Sequence, residues 1–444
     1  MNQENDFEKR LEKTVLHPLT HTTRLYRSIQ VVLFAIVCWG AYAFSLQMRK
    51  GLVVTDMRDY VLWGLYISNF VFFIGISHAG TLISAILRVT HAGWRTPITR
   101  IAEFVTVVAL SVGGLMPVID MGRPLRVGNI ILHGRFQAPI VWDIIAITTY
   151  LTASLIYLFL PMVEDLALCR DKMGKDASPW RRTFYRVLSL GWSGKPSQKR
   201  RLIVGMGMMA VLIIPIAVSV HTVVSFIFAM TLRPGWDSTV FGIYFVAGAI
   251  FSGIATLIII MAVLRRAFHF EEYITKKHFM YLGYLLGAFV LIMAYFNLLD
   301  FLVPGYKMQP GEQALMGQYF TGQYAPFYWF YVVGGLVIPG IIILNPKTRT
   351  IKGIVVASIL INVAMWIERF LIVVPTLKVA QMPHATPSYS PSWVEWSVIA
   401  GAVSAFALLI SVFAKLFPMI SVWEVKEHHE LETHAEAGTE LVKE

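Results

Sequence analysis

The stretch PIVWDIIAITTYLTASLIYLFLP, residues 139–161, holds one charged side chain in 23 positions, Asp143. A helix of about 20 apolar residues spans the hydrocarbon core of a bilayer, so this stretch predicts a membrane-spanning helix. Charge at membrane depth is costly and usually functional, which makes Asp143 the first candidate site residue. One structural alternative stays open, because the helix dipole also favours a carboxylate one turn after Pro139.

Ten such stretches predict an all-α integral membrane protein. The composition agrees, since 56% of the residues are hydrophobic and 15% are charged, which excludes a single soluble domain of 444 residues. The predicted spans are 28–47, 60–87, 98–118, 139–161, 202–230, 239–264, 277–299, 323–345, 350–375 and 395–418.

The basic residues predict an orientation in the membrane. Of 38 lysines and arginines, 28 lie in or beside the two terminal segments and the loops after spans 2, 4, 6 and 8, and nine lie in the other loops. Cytoplasmic loops carry such an excess, so we expect a multi-pass protein of the inner (cytoplasmic) membrane with both termini in the cytoplasm. The net charge of +11 then reflects basic loops and membrane lipid, with no nucleic-acid partner.

An internal repeat predicts how the spans are grouped. The segments WGLYISNFVFFIGI (63–76) and FGIYFVAGAIFSGI (241–254) align without gaps and open the second and sixth spans. We therefore expect two parallel four-helix bundles, with the first and tenth spans peripheral. The expected divisions are a cytoplasmic N-terminal segment (1–27), the first span and its loop (28–59), the first bundle (60–230) with a basic loop (162–201), the second bundle (231–375), a loop with the tenth span (376–420), and a charged tail (421–444) whose end has the composition of a disordered or frayed helix.

Five ionisable residues are expected toward the non-cytoplasmic face: Asp120, Asp143, His221, Asp237 and Asp300. Asp120 and Asp143 are joined by one loop, so they are expected to face each other across a cleft at the mouth of the first bundle. Asp120 has the alternatives of pairing with Arg123 or capping a turn. Asp237 and Asp300 also fit an interfacial position near water.

Two histidines and an adjacent ion pair stand inside predicted spans. His78, near the middle of the second span, is either a hydrogen-bonded core histidine or part of a proton route. His221 is expected at a different depth, which argues against a haem held by both rings. Glu368 and Arg369 are neighbours that point about 100° apart, so each is expected to need a partner on another helix.

Glu103 lies one turn from Arg100 near the cytoplasmic end of its span. The default expectation for this spacing is an exposed ion pair.

The residue types favour quinone chemistry over a metal or a bound redox centre. Cys38 and Cys169 are far apart and outside any C-x-x-C spacing, which excludes an iron–sulfur cluster or a c-type haem bound by this chain. A quinone suits an apolar bundle, and its redox cycle moves protons that a carboxylate and an imidazole can accept. Proton-coupled transporters use the same residue types, so a secondary transporter and a purely structural anchor remain alternatives.

Several motifs carry a family resemblance. The run WGLYISNFVFFIGISHAGTLISAILRVTHAGWRTPITRIAEFVTVVAL (63–110), then GRP (122–124), VWDIIAITTY (141–150), VSVHTVVSF (218–226), GWDSTVFGIYFVAGAIFSG (235–253) and NVAMWIERFLIVV (362–374) resemble the NrfD/PsrC-like family of polysulfide-reductase-type membrane subunits. The segment ISHAGTLISAILR (76–88) is most similar to the ActC and ActF subunits of alternative complex III. Asp120 and Asp237 stand where that branch is expected to have histidines.

The resemblance implies a membrane subunit of a respiratory oxidoreductase that binds quinol, with menaquinone as the expected type, and holds no haem or cluster. It also implies a periplasmic iron–sulfur/molybdopterin-type partner, with a second NrfD-like subunit and c-type cytochromes as further partners. The predicted roles are chemistry for Asp143, Asp120 and His221, quinone binding for Asp143, Asp120 and Asp237, and a proton route through His78, Glu368, Asp300 and Arg369.

Overall fold

Helices long and apolar enough to cross a membrane make up most of the chain. The computed structural model describes residues 2–90, 92–172, 178–383, 387–427 and 429–430, and within these ranges it holds ten such helices and no strand. The predicted all-α class and the ten predicted spans are confirmed. The protein is therefore a multi-pass integral membrane protein.

The spans take these bounds along the chain: α2 (Arg24–Lys50), α3 (Leu65–Val89), α4 (Thr96–Asp120), α6 (Pro139–Lys172), α8 (Pro196–Ala229), α9 (Phe241–Ala267), α10 (Lys276–Lys307), α12 (Ala325–Trp329) continued by a π-helical segment (Phe330–Val337) and α13 (Ile338–Leu344), α14 (Ile351–Lys378) and α15 (Trp393–Leu416). Shorter helices are α1 (Asn2–Thr20), α5 (Gly128–His133), α7 (Pro179–Leu188) and α11 (Pro310–Phe320), and residues 422–427 are helical as well. Single 3₁₀ turns occupy Leu52–Val54, Gly93–Arg95 and Pro124–Arg126.

The spans pack in two groups of four around α3 and α9. Helices α3, α4, α6 and α8 contact one another, as do α9, α10, α12 to α13, and α14. Helix α3 also packs on α9 and α14, so it lies at the junction of the two groups. Helices α2 and α15 pack on each other, and a Cβ atom at Gly40 would lie only 2.9 Å from the Cα of Gly401. Small residues at this crossing let the two backbones approach closely.

Helix α1 lies at the end of the molecule that holds the first and the last described residues, here named the termini side; the opposite end is the far side. In α1, Leu11, Val15 and Leu19 are buried, and the Glu12 carboxylate accepts hydrogen bonds from Lys172 and Lys426 at 2.7 and 2.8 Å. Burial alone would raise the pKa of Glu12, but these two lysines outweigh burial and lower it below its ordinary value. The three segments are thereby joined.

A buried ion pair closes the first group of helices at the termini side. Arg100 on α4 and Asp165 on α6 are 2.6 Å apart, and each side chain is 1% exposed. Arg100 also donates to the carbonyl of Pro418 at 3.1 Å, and Asp165 accepts from the amide of Val422 at 3.2 Å. Residues 418–424, here named the C-terminal plug, thus fill this end of the bundle.

Two expectations about this region were wrong. The partner of Arg100 is Asp165, whereas Glu103 is buried. Glu424, expected at the start of a disordered or frayed tail, is buried and pairs with Arg88 at 2.9 Å. Residues 428 and 431–444 of that predicted tail lie outside the described residues.

Candidate functional site: a buried histidine pair and far-side carboxylates

His78 and His221 meet where α3 and α8 pack. Both side chains are buried, and their ring centroids are 4.1 Å apart. The expectation that they lie at different depths was wrong. A haem held by both rings would need its iron and porphyrin plane between them, and this separation leaves no space for it. Tyr150 of α6 stands edge-on to His78, with centroids 6.1 Å apart.

Glu368 and Arg369 form a buried pair on α14, beside the histidines. The Arg369 Nε atom lies 3.3 Å from Glu368 Oε2, so the expectation that these neighbours could not pair was wrong. The guanidinium stacks over the Phe245 ring at 4.7 Å and interacts electrostatically with His221. It also lies against Gly248 of α9, where any Cβ atom would overlap with it. Glycine at this position therefore makes room for the buried charge.

Two tyrosines extend this set toward the eighth span. The Tyr244 hydroxyl is 3.3 Å from that of Tyr331, and Tyr244 interacts with Glu368. Tyr331 belongs to the π-helical segment, a local irregularity that occurs frequently at functional sites. We name as the central cluster the residues His78, His221, Tyr244, Tyr331, Glu368 and Arg369. It combines two imidazoles, one ion pair and two hydroxyls in a dry environment.

Asp143 lies at the far side of α6, next in sequence to Trp142, which lines a groove between α6 and α8. Its Oδ1 atom is buried and makes no hydrogen bond within the described chain. The groove has a volume of about 350 Å³ and opens on the outer surface of the helix pair. Its lining is apolar apart from two hydroxyls and comprises Phe136, Trp142, Ile145, Ala146, Thr149, Ile216, Ser219 and Val223. An apolar molecule with a polar head would find hydrocarbon contacts and the hydroxyls of Thr149 and Ser219 here.

Asp120, at the end of α4, has different neighbours from those expected. Its charged neighbour is Glu395 of α15, with Tyr66 within electrostatic range of both. Glu395 is itself held by a 2.5 Å hydrogen bond from the Tyr389 hydroxyl. No contact joins Asp120 to Asp143 among the described residues, so the facing pair stays unsupported by the geometry. The peripheral helix α15 contributes to this site, which sequence reasoning missed.

The second group of helices has its own far-side cavity, of about 40 Å³. Asp300, Glu312 and Tyr319 are among its lining residues, and Asp300 interacts with Glu368 of the central cluster. A cavity of this size holds one or more water molecules when polar groups line it. Asp237 is exposed and lies near Asp300. The structure thus brings Asp300 and Glu368 into one electrostatic group.

Metal binding has no support within the described residues, since no three His, Cys, Asp or Glu side chains converge as a ligand set.

Comparison with known families identifies the family of this chain. Residues 53–380 match the family described as "Polysulphide reductase, NrfD". The chain belongs to the NrfD family. The matched segment includes both groups of four helices and leaves out the two ends of the chain. The NrfD assignment therefore applies to the parts that hold the central cluster, Asp143 and Asp300.

Three relatives match over nearly their whole length. The chain is 24% identical to the C subunit of selenate reductase from Mesobacillus selenatarsenatis, with 92% of this chain and 97% of the relative covered. It is 24% identical to the Hdr-like menaquinol oxidoreductase integral membrane subunit of Archaeoglobus fulgidus, with coverage of 90% and 95%. It is 25% identical to the menaquinone reductase integral membrane subunit of Nitratidesulfovibrio vulgaris, with coverage of 87% and 90%.

Sequence reasoning missed several polar residues of these sites. Tyr244 carried a usable signal, because the internal repeat aligns it with Tyr66 and both prove to lie beside a carboxylate. Glu312 and Glu395 lie outside or at the edge of predicted spans, where acidic residues are common. Their burial depends on helices distant in sequence.

Proposed function

We propose that this NrfD-family chain is the quinone-binding membrane subunit of a multi-subunit respiratory oxidoreductase. The observation that carries the proposal is the Asp143 carboxylate, whose Oδ1 atom is buried without a hydrogen-bond partner among the described residues, next in sequence to Trp142 of the groove between α6 and α8. The names of two relatives, a menaquinol oxidoreductase subunit and a menaquinone reductase subunit, support menaquinone as the quinone. An assembly of the alternative-complex-III type is the finer proposal.

Each residue has a defined task in this proposal. A bound quinol would supply two electrons and two protons. Asp143 accepts a hydrogen bond and then a proton from the head at its Oδ1 atom, while the groove holds the apolar tail. Asp120, within electrostatic range of the Glu395 carboxylate, serves as a second proton acceptor. The electrons leave to an iron–sulfur protein at the far side, which the proposed orientation makes periplasmic.

The central cluster supports a proton route as part of the same function. His78 and His221 offer exchangeable ring nitrogens, and Glu368 continues toward Asp300 and the far-side cavity. Arg369 holds Glu368 in place through the 3.3 Å contact. Asp237, exposed at the mouth, is placed to exchange protons with water.

Asp143→Asn in the native complex tests the quinone site. Asparagine keeps the shape of the side chain and removes its capacity as a base, so quinol-linked turnover should fall by about 10²-fold or more while the complex still assembles. Asp171→Asn is the matched control, because Asp171 is an exposed aspartate on the same helix. Wild-type turnover in the Asp143 variant would remove this residue from the mechanism.

Purification of the native complex tests the partners. Co-purification of an iron–sulfur/molybdopterin-type protein, a second NrfD-like subunit or c-type cytochromes, together with extractable menaquinone, is the expected result. A chain that purifies alone, holds no quinone and moves protons with a solute across liposomes would instead establish a secondary transporter. Stable partners combined with no quinone binding would establish a structural anchor.

A further inference from the structure

Glu103 is a buried carboxylate that forms no ion pair among the described residues. Its side chain is 2% exposed, and its Oε1 atom accepts a 2.6 Å hydrogen bond from the Ser84 hydroxyl. Its Oε2 atom is buried and has no hydrogen-bond partner within the described residues. Arg100, one turn away on α4, is held instead by Asp165 at 2.6 Å. Such a group inside a membrane protein calls for a functional explanation.

Polar groups connect Glu103 to a pocket at the termini side. The Ser84 hydroxyl is 3.0 Å from the Tyr157 hydroxyl, and the Arg88 guanidinium lies 6.0 Å from the Tyr157 ring. Arg88 in turn pairs with Glu424 of the C-terminal plug at 2.9 Å. Both residues line a pocket of about 350 Å³, with Arg95 and Glu427 on its other walls. Water in this pocket is therefore two polar side chains away from Ser84.

In the opposite direction, a stripe of polar side chains leads from Glu103 to the histidine pair. His78, Thr81 and Ser84 are spaced by three residues and share one face of α3, as Glu103 and Thr106 do on α4.

The two stripes are joined by hydroxyls. Thr81 and Thr106 are 3.1 Å apart, and the Tyr150 hydroxyl lies 3.0 Å from Thr81 while its ring stands against His78. Hydroxyl groups both donate and accept, so such a row can relay a proton when its members reorient.

We propose that Glu103 is the residue that exchanges protons between the termini-side pocket and the His78–His221 pair. Its carboxylate takes one proton from pocket water that passes the Arg88 side chain, which itself stays protonated, by way of the Tyr157 and Ser84 hydroxyls, and it releases that proton through Thr81 and Tyr150 toward the imidazoles. No electron is transferred in this step. The inference rests on the proposed function, since it adds the inner end to the proton route suggested there.

The competing explanation is that Glu103 only balances the charge of Arg88. Glu424 already forms the close pair with Arg88, at 2.9 Å, whereas Glu103 contacts Ser84. A charge-balancing role predicts a loss of stability in Glu103→Gln and no change in proton movement in the protein that remains folded. A proton-exchanging role predicts that Glu103→Gln slows proton movement with little loss of stability, and that Glu103→Asp partly restores proton movement.

The test uses the purified native complex in proteoliposomes that contain a pH-sensitive dye, driven by a short-chain quinol. In Glu103→Gln, proton uptake from the termini side should slow by about 10²-fold, the lower range for loss of a proton-transfer group. The matched control is Glu164→Gln. Glu164 is a half-buried glutamate at the termini-side end of α6, and its variant should keep wild-type proton uptake. Proton uptake per electron equal to wild type in Glu103→Gln overturns the proposal.

Infrared spectroscopy of the same samples separates this inference from the quinone proposal. Wild-type protein should show a carboxylic-acid C=O band that shifts in D₂O and titrates with the pH of the termini-side solution, and Glu103→Gln should lack it. A band that persists in the variant, or one that never exchanges in D₂O, refutes the role of Glu103. A wild-type complex with no quinol turnover refutes the quinone proposal, and the band still decides the status of Glu103.

Discussion

Replacing Asp165 by asparagine should release the C-terminal plug from the first helix group. The substitution leaves the Arg100 guanidinium, 1% exposed, without its counter-charge. Removing one partner of a buried pair typically costs about 3–5 kcal/mol, because the other charge stays buried and uncompensated. Arg100 keeps carbonyl acceptors at Pro161 and Pro418, so we expect a cost near the lower value, about 3 kcal/mol.

Hydrogen exchange measures this cost directly. At 1.36 kcal/mol per factor of ten, a loss of about 3 kcal/mol makes the backbone amides of residues 419–424 exchange about 150-fold faster. The assay is hydrogen–deuterium exchange with mass spectrometry on protein in nanodiscs.

The control is Asp171→Asn, in which an exposed aspartate, 63% accessible, loses its contact with the adjacent Arg170. Exposed pairs contribute about 0–1 kcal/mol, so exchange in the plug should stay near wild type. If Asp165→Asn also left the plug amides within about threefold of wild type, the buried pair would not be what holds this segment, and the reasoning would fail.

Three further changes test other parts of the structure. Because Lys172 and Lys426 lower the pKa of Glu12 in the folded protein, docking of α1 should be fully stable above the ordinary glutamate pKa of about 4.3. It should weaken as the pH falls through the lower pKa that Glu12 has in the folded protein. A fluorophore on α1 should report this loss of docking, and Glu12→Gln should abolish its pH dependence. Gly248→Ala should lower thermal stability by about 1–3 kcal/mol because its methyl group overlaps with Arg369, whereas Gly207→Ala, which meets no described atom within 4 Å, should not; equal melting temperatures would contradict the packing argument. Ser392→Ala removes the side-chain cap of α15 and should cost about 1 kcal/mol in denaturation, with recovery in Ser392→Asp.

The ten spans could be predicted because membrane-crossing helices need long apolar runs, and such runs are visible in sequence. Their ends were less visible. Helix α6 continues to Lys172, eleven residues beyond the predicted end at 161, because helical structure outlasts the apolar stretch once the chain packs against other helices. Hydropathy therefore predicts which residues cross the hydrocarbon core, but it does not predict how far a helix continues beyond that core.

The histidine pair shows how helix ends control inferred depth. Helix α3 begins at Leu65 instead of residue 60, so His78 lies 13 residues from the far end and not 18, while His221 lies eight residues from the end of α8 and not the nine that the predicted span implied. At about 1.5 Å per residue, the inferred difference in depth falls from about 13.5 Å to about 7.5 Å. The size of the two rings and the packing of the two helices account for the remaining difference between this depth and the 4.1 Å separation of the ring centroids.

The two wrong ion-pair expectations have separate causes. Glu368 and Arg369 were judged by the directions of their Cβ atoms, but long side chains with three or more torsions can fold toward each other. Glu103 was expected at the surface because it lies near the end of a span. The C-terminal plug, which covers this region, lies more than 300 residues away in sequence, so a local sequence pattern cannot predict that it buries Glu103.

The C-terminal plug also sets an order for biosynthesis. Arg100 enters the membrane early, yet Pro418 and Ile420, two of the groups that surround its charge, are made about 320 residues later. At roughly 5–20 residues per second, the ribosome needs about 16–64 s to deliver them. During that interval the termini-side end of the first helix group is open to water and to chaperones. A chain truncated before residue 418 would contain all ten spans and lack the carbonyl groups of Pro418 and Ile420 that surround Arg100.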